Sequence, residues 1–183
     1  MPTGPLADWP CASSDTVELS IAAVYGRPVA AQADWQADPE VRALVNFAAA
    51  PENAPDQGSA RLRDLGQAAG PNAPAKLLLA LDGIMRRTNQ LRAIVAYGIR
   101  EKVEKSKLLA DLLGDARRAE TSLPADAPAG ERAALEADRL AKARALGDNA
   151  EDVELLCHRF DYLERKARRL AGTISSEIDP KQN

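Results

Sequence analysis

Two side chains able to bind metal or attack an electrophile adjoin at one place, Cys157-His158. Neighbours on a helix point about 100° apart, and zinc asks for three or four converging ligands. Covalent haem attachment of the c type needs a Cys-x-x-Cys-His run, which is absent. A thiol nucleophile needs a base set across from it, but the only histidine is the adjacent residue. These residues therefore read as a structural cysteine beside a surface or capping histidine. Asp34, Asp38, Asp148, Asp152 and Glu154 lack the spacing of a calcium loop. No glycine-rich phosphate loop and no Gly-x-Ser-x-Gly occurs. The expectation is a protein that is not an enzyme and carries no cofactor or metal.

The charged residues carry the next candidate. Arg86, Arg87, Arg92, Arg100, Lys102, Lys105 and Lys107 stand against Glu101 and Glu104. Arg159, Arg165, Lys166, Arg168 and Arg169 stand against Asp161 and Glu164. If both runs lie at one level of a fold they make a positive band, and Arg86, Arg87, Arg92, Arg165, Lys166 and Arg169 are its candidate partner-binding residues. The plainer account is neutralisation by acids on neighbouring segments, such as Glu40, Glu52 or Asp64, and by i,i+4 pairs such as Glu101–Lys105. A net charge of −3 argues against a general binder of nucleic acid. No apolar run approaches the ~20 residues of a membrane span.

Helices must position these groups. The chain has 183 residues, 45% hydrophobic but rich in alanine and only 4% aromatic. Such a composition favours helix and close helix packing over a thick core. Alternating strand patterns are missing, so the fold class is all-α. Leu77, Leu81, Ile84, Thr88, Leu91 and Val95 step by fours and threes, as one face of a packed helix does. Continued to Glu120, this helix is about 70 Å long. Thr121–Gly130 is a turn region, and Leu135, Leu140, Ala143, Leu146, Ala150, Val153, Cys157, Phe160, Leu163, Ala167, Leu170 and Ile174 mark a return helix. Gly147-Asp148-Asn149 could break it, yet the stripe keeps its phase there and a continuous helix is expected. A single helical domain follows: a long antiparallel, coiled-coil-like hairpin over 74–178, two shorter helices over 38–70, and an extended arm over 1–37. The arm holds Trp9, Trp35 and Tyr25 and should lie along the hairpin to bury them. A fold-back near residue 126 brings Arg92 beside Phe160, Cys157 beside Val95, and Arg86 and Arg87 near Lys166 and Arg165. Gly83, Gly98 and Gly114 mark places where another backbone could come close.

Cys11 and Cys157 are the only cysteines, and counting leaves one disulfide and two buried thiols equally open. The first residues have neither a basic nor an apolar leader region, which fits a cytoplasmic protein or an exported one whose leader has been replaced by Met1.

Asp8-Trp9-Pro10-Cys11, Val17-Glu18-Leu19-Ser20, Val24-Tyr25-Gly26-Arg27-Pro28 and Trp35-Gln36-Ala37-Asp38-Pro39-Glu40-Val41 resemble the start of an uncharacterised group of proteobacterial exported helical proteins. That group has a Trp-Pro-Cys near the mature N-terminus, an aromatic-Gly-x-Pro, a Trp-x-x-Asp-Pro helix start and a late second cysteine. The likeness covers mainly residues 8–48, and Tyr25 stands where the pattern has a tryptophan. It implies export and a Cys11–Cys157 disulfide, and carries over no activity.

The function expected is a non-enzymatic periplasmic accessory protein presenting an elongated helical surface to a protein partner. One rival is a carrier of a small ligand or metal in the groove between arm and hairpin, lined by Trp9, Tyr97 and His158. The other is a cytoplasmic adaptor, with free thiols, that forms a homodimer through the hairpin.

Overall fold

Asp38-Pro39-Glu40 starts a helix by three separate means: a carboxylate to cap, a proline with its φ already helical, and an acid at the positive end. In a computed structural model that describes residues 9–12, 16–30 and 32–179, the Asp38 carboxylate accepts from the backbone N–H of Glu40 at 3.0 Å and of Val41 at 3.1 Å. Residues 1–7 of the arm, Asp8 of the Trp-Pro-Cys run and the expected stop at Pro180 lie outside the described residues.

The chain is all-α. Helix α1 is Ile21–Tyr25, α2 Pro39–Ala49, α3 Pro55–Ala69, α4 Ala73–Thr121 and α5 Ala129–Ile178, with single 3-10 turns at Trp35–Ala37 and Gly70–Asn72. Helices α4 and α5 pack antiparallel as the hairpin, each about 75 Å long at 1.5 Å per residue. Helix α5 runs through Gly147 without a break. Around that level the inward residue is Asn149, buried, whereas Ala150 of the expected stripe is exposed. The Asn149 amide donates to the Lys102 carbonyl at 2.8 Å and to Ser106 Oγ at 2.7 Å. A buried amide with partners on the facing helix pins the register of the pair, because a slip in either direction would strand it.

Two apolar clusters form. The larger joins α2, α3 and Trp35 to the lower hairpin, around Val41, Val45, Ala48, Leu62, Leu77, Leu81, Ile84, Leu170 and Ile174. Close approach there depends on two glycines. A Cβ on Gly58 would lie 2.8 Å from Leu170 Cδ2 and 3.3 Å from Ala48 Cβ, and one on Gly83 would lie 2.7 Å from Val45 Cγ2 and 2.9 Å from the Trp35 ring. What crowds Gly83 is thus a ring and a methyl rather than a backbone, while Gly98 and Gly114 meet only side chains at ordinary contact distances.

The smaller cluster is built from Cys11, Val95, Ala96, Ile99, Phe160 and Leu163, with Trp9, Val17 and Cys157 packed on it. Beyond it α4 and α5 have only each other. From Ile99 to Thr121 the hairpin projects about 33 Å past the core, and beyond Ile99 the buried residues of α4 are Leu113 and Ala116, with Asn149 buried on the facing stretch of α5.

Candidate functional site

Residues 9–12 and 16–30, with the short helix α1 among them, lie on the hairpin, and several of their main-chain groups are held by side chains of α4 and α5. Cys11 and Cys157 are joined by a disulfide that closes 146 residues. Next to it, Arg92 is fully buried. Its Nη2 donates to the Thr16 carbonyl at 2.6 Å, Nε to the Val17 carbonyl at 3.1 Å, and Nη1 to the Phe160 carbonyl at 3.1 Å. Glu164 Oε2 lies 3.4 Å from Nη1 and supplies the counter-charge. Desolvation by burial pulls the Arg92 pKa below its ordinary value, and the charges of Glu164 and Asp161 act against that. An arginine stays protonated through such a shift.

Two further clasps follow along the segment. The Asn89 side-chain amide donates to the Leu19 carbonyl and its oxygen accepts from the Leu19 N–H, both at 3.0 Å. Arg168 Nη1 donates to the Ala23 carbonyl at 2.9 Å, and Arg27 pairs with Asp179 at 2.6 Å beyond the end of α5. Arginine and asparagine here stand in for the second strand that an extended backbone lacks.

This geometry corrects the expected partner-binding set. Arg92 is internal and has no face for a partner. Lys166 is buried too, at 3% exposure. Its ammonium donates to the Ala50 carbonyl and to the Asn53 carbonyl, the latter at 2.6 Å, and so closes the C-terminal end of α2. Desolvation lowers the Lys166 pKa, and Glu52 acts against it. Arg86 pairs with Asp82 on its own helix at 2.8 Å, and Arg87 donates to Gln90 at 3.2 Å. Lys102 pairs with Asp152 at 2.5 Å, Arg168 with Glu164 at 2.9 Å, and Arg169 with Asp56 at 3.0 Å. The band is largely neutralised by acids of α3, α4 and α5.

Of the six residues, Arg165, Lys166 and Arg169 are brought together. With Pro55, Asp56 and Tyr162 they line an open cleft of about 330 Å³ between the start of α3 and α5. The residues expected to line a groove under the arm do not converge. Trp9 packs edge-on against Phe160, with ring centroids 5.1 Å apart. Tyr97 is exposed and donates to Glu101, and His158 is exposed beside Glu154. Among the described residues, no three His, Cys, Asp or Glu side chains are grouped to hold a metal. No described helix is long and apolar enough to cross a membrane.

A second face of α4 had no counterpart in the sequence reading. Ile94, Tyr97, Leu108 and Leu112 are exposed, at 68%, 62%, 59% and 38%. Together with Glu101 they fall on one stripe, opposite the seam of Val95, Ile99, Val103, Ser106 and Leu113 that packs on α5. On α5, Leu140 and Leu155 are exposed as well. The signal was available as a second set of threes and fours in α4. Comparisons with protein-family models, with curated proteins and with solved structures find no match for this chain.

Proposed function

We propose that this protein is a non-enzymatic accessory factor of an oxidising compartment, the periplasm, where the outer face of α4 from Ile94 to Leu112 docks onto a protein partner. The observation that carries the proposal is the α4 stripe of Ile94, Tyr97, Leu108 and Leu112. A helix packed on one neighbour needs one apolar face, and α4 has two. Large apolar side chains repeating along an exposed face mark a surface that another helix covers. The Cys11–Cys157 disulfide supports an oxidising compartment and speaks against an adaptor with two free thiols. Export is also what the resemblance of residues 8–48 implies.

The test is site-specific photo-crosslinking in the native host, with the reactive group placed at Leu108, at Leu112 or at the exposed control position Asp148. A discrete adduct of higher mass from Leu108 and Leu112, absent from Asp148, identifies the partner by mass spectrometry. An adduct of twice the chain mass would replace the partner by a second copy. No adduct at either leucine, with the protein at its normal level, would refute the docking role.

A further inference from the structure

We propose that the cleft between α3 and α5 is a binding site for a small oxyanion, a carboxylate or a phosphate, held by Arg165, Lys166 and Arg169. This is independent of the hairpin surface. The walls carry three cations and a single carboxylate, Asp56. Arg165 is exposed and forms no ion pair among the described residues. Lys166 has no carboxylate within ion-pair distance; two of its three ammonium hydrogens go to Ala50 and Asn53, and one donor remains. Glu52, the acid that acts on the Lys166 charge, does so from a distance and does not line the cleft.

Asp56 occupies part of this site as an internal substitute. It holds Arg169 at 3.0 Å, but with side chains 80% and 65% exposed the pair is exchangeable. A phosphate or carboxylate entering the cleft can take over Arg169, engage the free fork of Arg165, and neutralise the buried Lys166 ammonium. Guanidinium forks match both anions in two-point geometry, which an ammonium alone cannot do. The start of α3 adds a favourable field, since its first turn lines the same cleft. Pro55 and Tyr162 form the apolar part of the wall and suit a ligand whose anionic group is attached to a ring or short carbon chain.

The experiment is an NMR titration of the full chain at low ionic strength, with inorganic phosphate in one series and succinate in another. Arg165→Gln, Asp56→Asn and the exposed control Arg159→Gln are run beside the native chain. All three positions are solvent-exposed, so the variants fold, and circular dichroism verifies it. Saturable shifts confined to the cleft are expected with at least one anion. Arg165→Gln should weaken binding about tenfold, Asp56→Asn should strengthen it about threefold, and Arg159→Gln should leave it unchanged. The anion that binds more tightly names the source, phosphate ester or carboxylic acid. Absence of saturation with both anions would overturn the site, as would binding that Arg165→Gln leaves intact.

Discussion

The guanidinium of Arg92 lies over the ring of Phe160, 3.7 Å from its centroid, while its Nη1 donates to the carbonyl of that same residue. One residue of α5 therefore offers both a π face and a backbone acceptor to one cation of α4. The other two sides of the guanidinium reach the carbonyls of Thr16 and Val17. Arg92 is thereby the post on which the extended segment hangs, and the smaller apolar cluster closes around it.

Removing that post should be expensive. Arg92→Met fills similar volume but takes away the donor shared by the Thr16, Val17 and Phe160 carbonyls and one of the two cations beside Glu164. Breaking a buried ionic group in this way costs about 3–5 kcal/mol. Arg92→Lys keeps the charge but cannot reach three directions from one plane, so it should recover less than half of the loss. Urea unfolding followed by far-UV circular dichroism measures both. A loss below about 1 kcal/mol for Arg92→Met would show that the segment does not depend on this residue.

The disulfide acts on a different state of the chain. Closing a loop of 146 residues removes denatured-state entropy worth about 4–5 kcal/mol on the chain-entropy model. Cys11→Ser with Cys157→Ser should therefore lower the urea midpoint. It should also make the bonds of residues 9–12, which flank Cys11, sensitive to a protease at concentrations that leave the native chain whole. Arg92 and Asn89 still clasp residues 16–19, so the hairpin itself should stay folded. Helix content that fell by more than about a tenth would contradict that separation.

Much of this was legible from helical period. The hairpin, its unbroken return helix and the meeting of Arg92 with Phe160 follow from apolar steps and a single fold-back point. The misreading of Arg92 and Lys166 as surface cations came from weighing residue type above position. Thr88, Arg92, Val95 and Ile99 step by 4, 3 and 4, which places Arg92 on the seam with its buried neighbours. Lys166 falls between Leu163 and Leu170 in the same way. What period could not disclose were the acceptors, because the carbonyls of Thr16, Val17, Ala50 and Asn53 belong to non-helical backbone that carries no pattern. The α3–α5 cleft was opaque for the same reason, since it depends on where the α2–α3 connection sits.

Burial of Lys166 sets an alkaline pH dependence. Its pKa is lowered in the folded protein, chiefly by desolvation. Below the folded value both states hold the proton and this group adds no slope. Between the folded value and the ordinary 10.5 the unfolded chain holds a proton that the native state has released, so stability from this group rises with pH. Lys166→Met should remove that component, measured as the difference in urea midpoints between the two proteins from pH 8 to pH 10.5. The gap between them should widen in favour of the native chain as pH rises. A gap that stayed flat would mean that Lys166 titrates as an ordinary surface lysine.

Two glycines inside the long helices should respond to alanine with opposite sign. In a helix interior glycine is less favourable than alanine by about 0.8–1 kcal/mol, so open space makes the replacement stabilising. Gly147 has nothing within 4 Å of where its Cβ would stand, and Gly147→Ala should gain close to that full amount. At Gly83 the added methyl meets Val45 Cγ2 at 2.7 Å and the Trp35 ring at 2.9 Å, both buried against α4. Overpacking of this kind costs about 1–3 kcal/mol and exceeds the propensity gain. Gly83→Ala should therefore be destabilising, by up to about 2 kcal/mol, with the Trp35 fluorescence shifted as the ring is pushed outward. Thermal unfolding of the two variants side by side decides it, because propensity alone would raise both midpoints equally.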